Sequence, residues 1–404
     1  MLAAQESSLP AETSQQAAQN FRLLALDIVW FGLAFPAVAR FLALYTIRVD
    51  GSALVLGLQA SLPAIFALIT SSFALWWGKH FSDVVAGQFW PGIGYRLMFL
   101  LPAFTPYFPK EWQPIWLVFS VTIAALPQGI SSVLFLVLMR EGVENHRIMA
   151  LTSRRSLAFN LSVGIGTLFF GLWLEEVAFP INYQLMFVVG FLLSLISLLN
   201  VQAVKVIFPE TRPPAGQAVQ RPWRAPAFRR VAVVTAATHV ALFAMGPIIS
   251  LRLVEELGAD EAFMSIFAVI ELSCASLAAA STGKLMRRYG IITLTAFGML
   301  STGISALIFA FAPDLWWTLP GAALGGAGWT TAAICLFGYF NENTPPDSLT
   351  SYSTGYNQVV MLSIFVAPLL GSQLAEVGIS LVAVLIGGGV LRIVVGGWLA
   401  LRQL

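Results

Sequence analysis

Apolar runs long enough to cross a bilayer recur twelve times along this 404-residue chain, and no other feature constrains its fold as tightly. They fall at 23–45, 52–77, 92–109, 114–139, 157–178 and 184–207, and then at 231–254, 262–282, 291–312, 315–340, 353–375 and 379–401. A hydrocarbon layer about 30 Å thick takes ~20 residues of helix. Lipid offers the backbone no hydrogen-bond partner, so each run must be helical, whereas a β-barrel would show short alternating strands. The 92–109 run is the weakest, because Pro102 and Pro106 interrupt it. Charged residues make up 10% of the chain, against about a quarter in soluble proteins. The fold class is therefore an all-α integral membrane protein with twelve transmembrane helices.

One interior stretch breaks the pattern. Residues 208–228 read FPETRPPAGQAVQRPWRAPAF, with five prolines and no apolar run. Such a segment stays in water and links what lies on either side. The chain divides accordingly into a polar, disordered N-terminal segment (1–21), a six-helix bundle (22–207), a linker (208–230) and a second six-helix bundle (231–404). The first segment has no basic residue before Arg22 and no apolar core, so it is not read as a signal peptide. Lys and Arg fix the orientation. With the N-terminus cytoplasmic, 17 of the 22 fall in inside segments, Lys79, Arg96 and Arg155 among them. Three lie outside (Arg48, Lys110 and Arg252), and Arg40 and Arg392 lie within spans. Both termini are thus expected in the cytoplasm and the protein in the cell membrane.

The two bundles repeat one another. Ser153, Gly171 and Leu174 recur as Ser353, Gly371 and Leu374, and Gly78-Lys79 after the second run recurs as Gly283-Lys284 after the eighth. Parallel repeats of this kind are a transporter architecture. Between runs eight and nine the chain reads Gly283-Lys284-Leu285-Met286-Arg287-Arg288-Tyr289-Gly290. Here the sequence resembles the major facilitator superfamily of secondary transporters, whose loop signature runs Gly-x-Leu-x-Asp-Arg-x-Gly. Gly283, Leu285, Arg288 and Gly290 match, while Arg287 stands where the family has Asp. In the first half, Gly78, Lys79 and Asp83 form a degenerate copy with its acid one place late. The resemblance in layout covers about residues 22–402 and implies two pseudo-symmetric bundles. It also implies a conformational latch at these loops, although the same basic residues serve simply to hold the loops inside. Two drug-efflux motifs are degenerate. Gln128-Gly129 keeps the end of Arg-x-x-Gln-Gly without its Arg, and the glycines at 164, 166 and 171 lack the Pro of the usual fifth-helix bend.

Ionisable groups inside spans are the best pointers to function, because a charge in lipid is costly. Glu271 lies near the middle of run eight. A carboxylate taken out of water holds a proton more readily, so Glu271 is the leading proton carrier, with a structural pair to an arginine of another helix as the alternative. Asp27 lies ~8 Å into run one and is expected near a solvated interface. Arg40, ~20 Å further along, is open to three roles: binding an anion, pairing with Glu271 or snorkelling. Arg392 is read as structural or lipid-contacting. His239 is either a proton relay or a hydrogen-bonded packing group. Gln128, Asn357 and Gln358 suit a polar substrate or helix–helix ties. Trp30 and Trp329 lie on runs one and ten, which the resemblance places around the central cavity. Cys274 and Cys335 fall in apolar runs and read as packing residues.

The sequence carries no Walker-type phosphate loop. Its three histidines, His80, His146 and His239, lie far apart, so no metal cluster is expected. No enzyme, cofactor or nucleic-acid partner is expected. The reading is a monomeric secondary transporter of a small-molecule substrate, worked by alternating access, proton-coupled and directed toward efflux. A sugar or metabolite symporter or uniporter is the alternative, and a non-transporting scaffold or sensor is the alternative from another class.

Overall fold

The computed structural model describes residues 11–208, 222–344 and 349–401. In the first half, α1 comprises Ala11–Ala34, Pro36–Ala39 and Phe41–Arg48, and α2 comprises Ala53–Ser71 and Ala74–Gly78. Next come α3 (Val84–Leu100, continued as 3-10 helix over Leu101–Tyr107), α4 (Gln113–Gly142), α5 (Asn145–Glu176) and α6 (Ile181–Gln202). In the second half, α7 comprises Pro226–Phe243, Gly246–Leu251 and a π turn Arg252–Glu256. It is followed by α8 (Glu261–Tyr289), α9 (Ile291–Phe311), α10 (Leu319–Glu342), α11 (Leu349–Glu376) and α12 (Leu381–Leu401). Among the described residues, eleven of the crossings are long and apolar enough to span a membrane. The twelfth, α3, is the one the prolines weaken: Leu101-Pro102 ends its α-helix. The chain is a multi-pass integral membrane protein.

Several boundaries differ from the sequence reading. The N-terminal segment is not disordered from residue 11 onward. It is the first part of α1, with Ala17 and Asn20 fully buried. The Asn20 side chain explains this: Nδ2 donates to the Gly142 and Lys205 carbonyls at 2.8 Å, tying α1 to the ends of α4 and α6. Residues 209–221 of the linker lie outside the described residues. Its last part is a short 3-10 turn, Pro222–Arg224, and α7 already begins at Pro226, where a proline suits the first helical turn. Likewise α3 begins at Val84 rather than 92, because the Asp83 carboxylate accepts from the Ala86 N–H at 2.8 Å and caps it. Arg96 is consequently no loop charge. It is buried within α3 and donates to the Gly92 and Ser194 carbonyls and to Ser197 Oγ.

The face joined by the linker is called here the linker face, and the opposite one the distal face. The first helix of each half is broken part-way along. Pro36 interrupts α1 and Pro247 follows the break in α7, since neither offers an N–H to the turn before it. At the α7 break the Met245 N–H turns to the Leu242 carbonyl at 3.2 Å, away from Ala241. Arg392 of α12 fills that gap. Its guanidinium donates to the carbonyls of Ala241 (3.0 Å), Leu242 (2.8 Å) and, on α9, Thr302 (2.9 Å). It is 3% exposed, so it is a buried clamp and does not contact lipid. Toward the distal end of the first half, the rings of Tyr45 (α1) and Tyr183 (α6) stack at 4.4 Å.

Candidate functional site

Ten residues into α8, ~15 Å along its axis, Glu271 meets the other half of the molecule. Arg40 Nη2 donates to Glu271 Oε2. Arg40 stands at the second break in α1, between the pieces ending at Ala39 and starting at Phe41, so its side chain leaves from a non-helical position. The two side chains are 28% and 29% exposed. From behind, α10 presses on Glu271 through Gly326. A Cβ there would lie 2.2 Å from the Glu271 carbonyl oxygen and 2.9 Å from its Cγ, so only glycine permits this approach. Trp329, three residues on and therefore on the same face of α10, packs edge-on against His239 (5.2 Å) and Phe243 (5.5 Å) of α7. His239 is buried, and its Nδ1 lies 2.8 Å from the Thr235 carbonyl. A carbonyl only accepts, so Nδ1 carries a proton and donates it.

The remaining candidates do not join this cluster. Asp27 is not solvated but 4% exposed, because two other helices hold both its oxygens. Arg155 of α5 donates to Oδ2 at 2.9 Å and Ser197 of α6 to Oδ1 at 2.5 Å. Arg155 also stacks over Phe135 at 4.7 Å. Asp27 is thus a tie within the first half. Gln128 and Trp30 are half-buried on α4 and α1, and Asn357 and Gln358 are exposed on α11.

The signature residues lie elsewhere than the loop assigned to them. Gly283, Arg287 and Arg288 belong to the last two turns of α8, and only Gly290 (φ +83°) stands between α8 and α9. Lys284 to Arg288 are good helix formers, and basic groups favour a helix C-terminus, so the helix runs on until glycine ends it. Arg288 lies over the Tyr289 ring at 5.2 Å. In the first half, Gly78 ends α2, Lys79 follows it, and Asp83 serves as the α3 cap.

A second cluster escaped the sequence reading. At the distal face, Glu261, the first residue of α8, is 3% exposed and takes both its side-chain partners from the other half. Arg48 forms a two-pronged ion pair with it, and the Tyr183 hydroxyl donates at 2.7 Å. Nearby, Ser265 of α8 donates to the Thr167 carbonyl of α5 at 3.1 Å, and the Leu54 N–H donates to Glu376 at 3.1 Å. A Cβ on Gly171 would lie 1.8 Å from Ser265 Oγ, and one on Gly57 would lie 2.5 Å from Ser372 Oγ. Both glycines let helices of opposite halves touch. Arg48 is counted among the outside charges, and Glu261 lies one residue before the 262–282 run. Nothing in the sequence separates Glu261 from its acidic neighbours Glu255, Glu256 and Asp260. The helical repeat also shifts in register. Gly371 approaches the Ala244 carbonyl of α7 as Gly166 approaches the Leu33 carbonyl of α1, at the same sequence separation as Gly78 and Gly283. In surroundings, the counterpart of Gly371 is thus Gly166 and not Gly171.

Six of the seven buried residues of α8 lie between Glu261 and Ala268, and the seventh is Thr282. The linker-side part of this helix, from Glu271 on, is otherwise half-buried or exposed. The contacts described between α8 and the other half thus run from its distal end as far as Glu271.

The model of the Major Facilitator Superfamily matches residues 23–368, and the chain belongs to that family of transporters. No curated protein matches it. Among solved structures, it is similar to a bacterial homologue of the iron transporter ferroportin in an inward-facing state, with 15% identity and a TM-score of 0.69. That match covers 95% of this chain and 99% of the other. Nucleoside transporter NupG matches at 12% identity and a TM-score of 0.69, over 96% and 99% of the two chains. A POT family transporter in complex with a thioalcohol-conjugated peptide matches at 10% and 0.68, over 95% and 96%. At these identities the likeness establishes the fold.

Proposed function

We propose that the protein is a secondary active transporter of a small solute, working by alternating access and coupled to protons, with Glu271 as the proton carrier. The observation that carries this reading is Glu271 itself, an acid whose side-chain partner among the described residues is an arginine of the other half. Protonating it would release Arg40, so loading the carrier and loosening the halves become one step. The contacts between α8 and the other half, which run from the distal face as far as Glu271, support a rocking motion about this level. The positive bias of the linker-side segments supports a cytoplasmic linker face in the cell membrane. The largely apolar linker-side stretch of α8, LSCASLAAAS after Glu271, supports outward movement of an amphipathic compound. The test is transport in proteoliposomes with and without an imposed pH gradient. Gradient-driven flux is expected to be lost in Glu271→Gln, while gradient-free exchange persists. Full gradient-driven flux in that variant would remove Glu271 as carrier.

A further inference from the structure

The Arg40–Glu271 pair joins the two halves, so a movement that parts them must separate the charges. The two partners are not equivalent once separated. A proton neutralises a carboxylate, but a guanidinium stays charged at any physiological pH and needs an acceptor. Among the described residues, the buried carboxylates of α1 and α8 are already taken. Asp27 is held by Arg155 and Ser197, and Glu261 by Arg48 and Tyr183. We propose that Arg40 binds an anionic group of the transported solute, a carboxylate or similar oxyanion, which takes the place of Glu271 on the guanidinium. Two parallel N–H···O bonds suit such a group. The flat rings of Trp329, one turn along α10 from Gly326 at the Glu271 level, and of Phe243 of α7 packed against it receive its apolar body. The solute class is thus a small organic anion with a planar apolar part. This rests on the transporter reading and adds the charge of its solute.

The test reads binding without flux. Protein in lipid nanodiscs is titrated with benzoate and with its neutral isostere benzamide, at constant ionic strength, and thermal stability is recorded. Benzoate is expected to stabilise the wild type and benzamide not. In Glu271→Gln, where the internal competitor is gone, benzoate is expected to bind about tenfold tighter. Arg40→Gln leaves Glu271 unpartnered and is expected to fold less well. The neutral double variant Arg40→Gln/Glu271→Gln removes that defect and is expected to fold and ignore benzoate. The proposal fails if benzoate leaves Glu271→Gln unmoved, if benzamide matches benzoate, or if the double variant still responds. A benzoate response through Arg40 in a protein that carries no solute in vesicles would leave the anion site standing and end the transport reading. Flux without such a response would do the reverse.

Discussion

The two ends of α8 meet different worlds. Its distal part is packed into the opposite half through Glu261, Ser265 and the close approach of Gly171, with Phe263, Phe267 and Ala268 buried beside them. Past Glu271, the same helix buries only Thr282, and its last two turns carry Lys284, Arg287 and Arg288. Nothing in local propensity distinguishes the two ends, since both are continuous α-helix. The difference lies in residue size and pairing. A buried acid matched by a cation, together with glycines at crossing points, makes a surface that closes. Alanines, serines and exposed leucines make one that does not have to.

That contrast can be broken most severely at Glu261. Replacing it with alanine strands Tyr183 and half-exposed Arg48 (45% exposed). Removing one partner of a fully buried pair costs ~3–5 kcal/mol, and the exposure of Arg48 reduces this to about 2 kcal/mol. Thermal unfolding in detergent should show the loss, and single cysteines at the distal ends of α2 and α11 should become more reactive. Next in size is Gly171→Val, whose side chain would collide with Ser265. Overpacking of this kind costs about 1–3 kcal/mol. Distal closure should be blocked and transport lost, as distances between spin labels on α5 and α8 would report. Gly164→Ala is the matched control: nothing lies within 4 Å of its Cβ, and the effect on melting should stay within about 0.5 kcal/mol. Asp83→Ala removes the α3 cap at a cost of about 1 kcal/mol, lowering the melting temperature without changing the distal seal. The smallest effect separates the native cysteines. Half-buried Cys274, on the linker side of Glu271, should react with a small maleimide in the folded protein, and buried Cys335 only after unfolding. Mass spectrometry of labelled peptides checks this.

Hydropathy made the twelve crossings and the six-plus-six division legible, because lipid enforces helix length on any sequence. The prolines at 102 and 106 likewise marked α3 as the crossing that loses its α-helix early. Helix ends were harder. The Ala- and Gln-rich start of α1 is no more apolar than a loop, and its helix is set by Asn20 reaching two distant chain ends. Arg96 and Arg155 look like loop charges, yet one ties α3 to α6 and the other holds Asp27. In the candidate site, Glu271 and Arg40 stand out as intramembrane charges, and their pairing was one of the roles open to both. The Arg48–Glu261–Tyr183 cluster was not legible, because its members come from three helices and lie at span ends where a charge needs no explanation. Phe243 was hidden among thirty phenylalanines.

Glu261 has a consequence for how the distal side must come apart. Its buried carboxylate is held across the divide by Arg48 and by the buried Tyr183, whose hydroxyl donates to it. Once the divide widens, the carboxylate and the hydroxyl lose one another, and solvent molecules take their places as the contact goes. Opening and wetting there are a single event, and solutes excluded from the divide that lower water activity should hold the distal door shut.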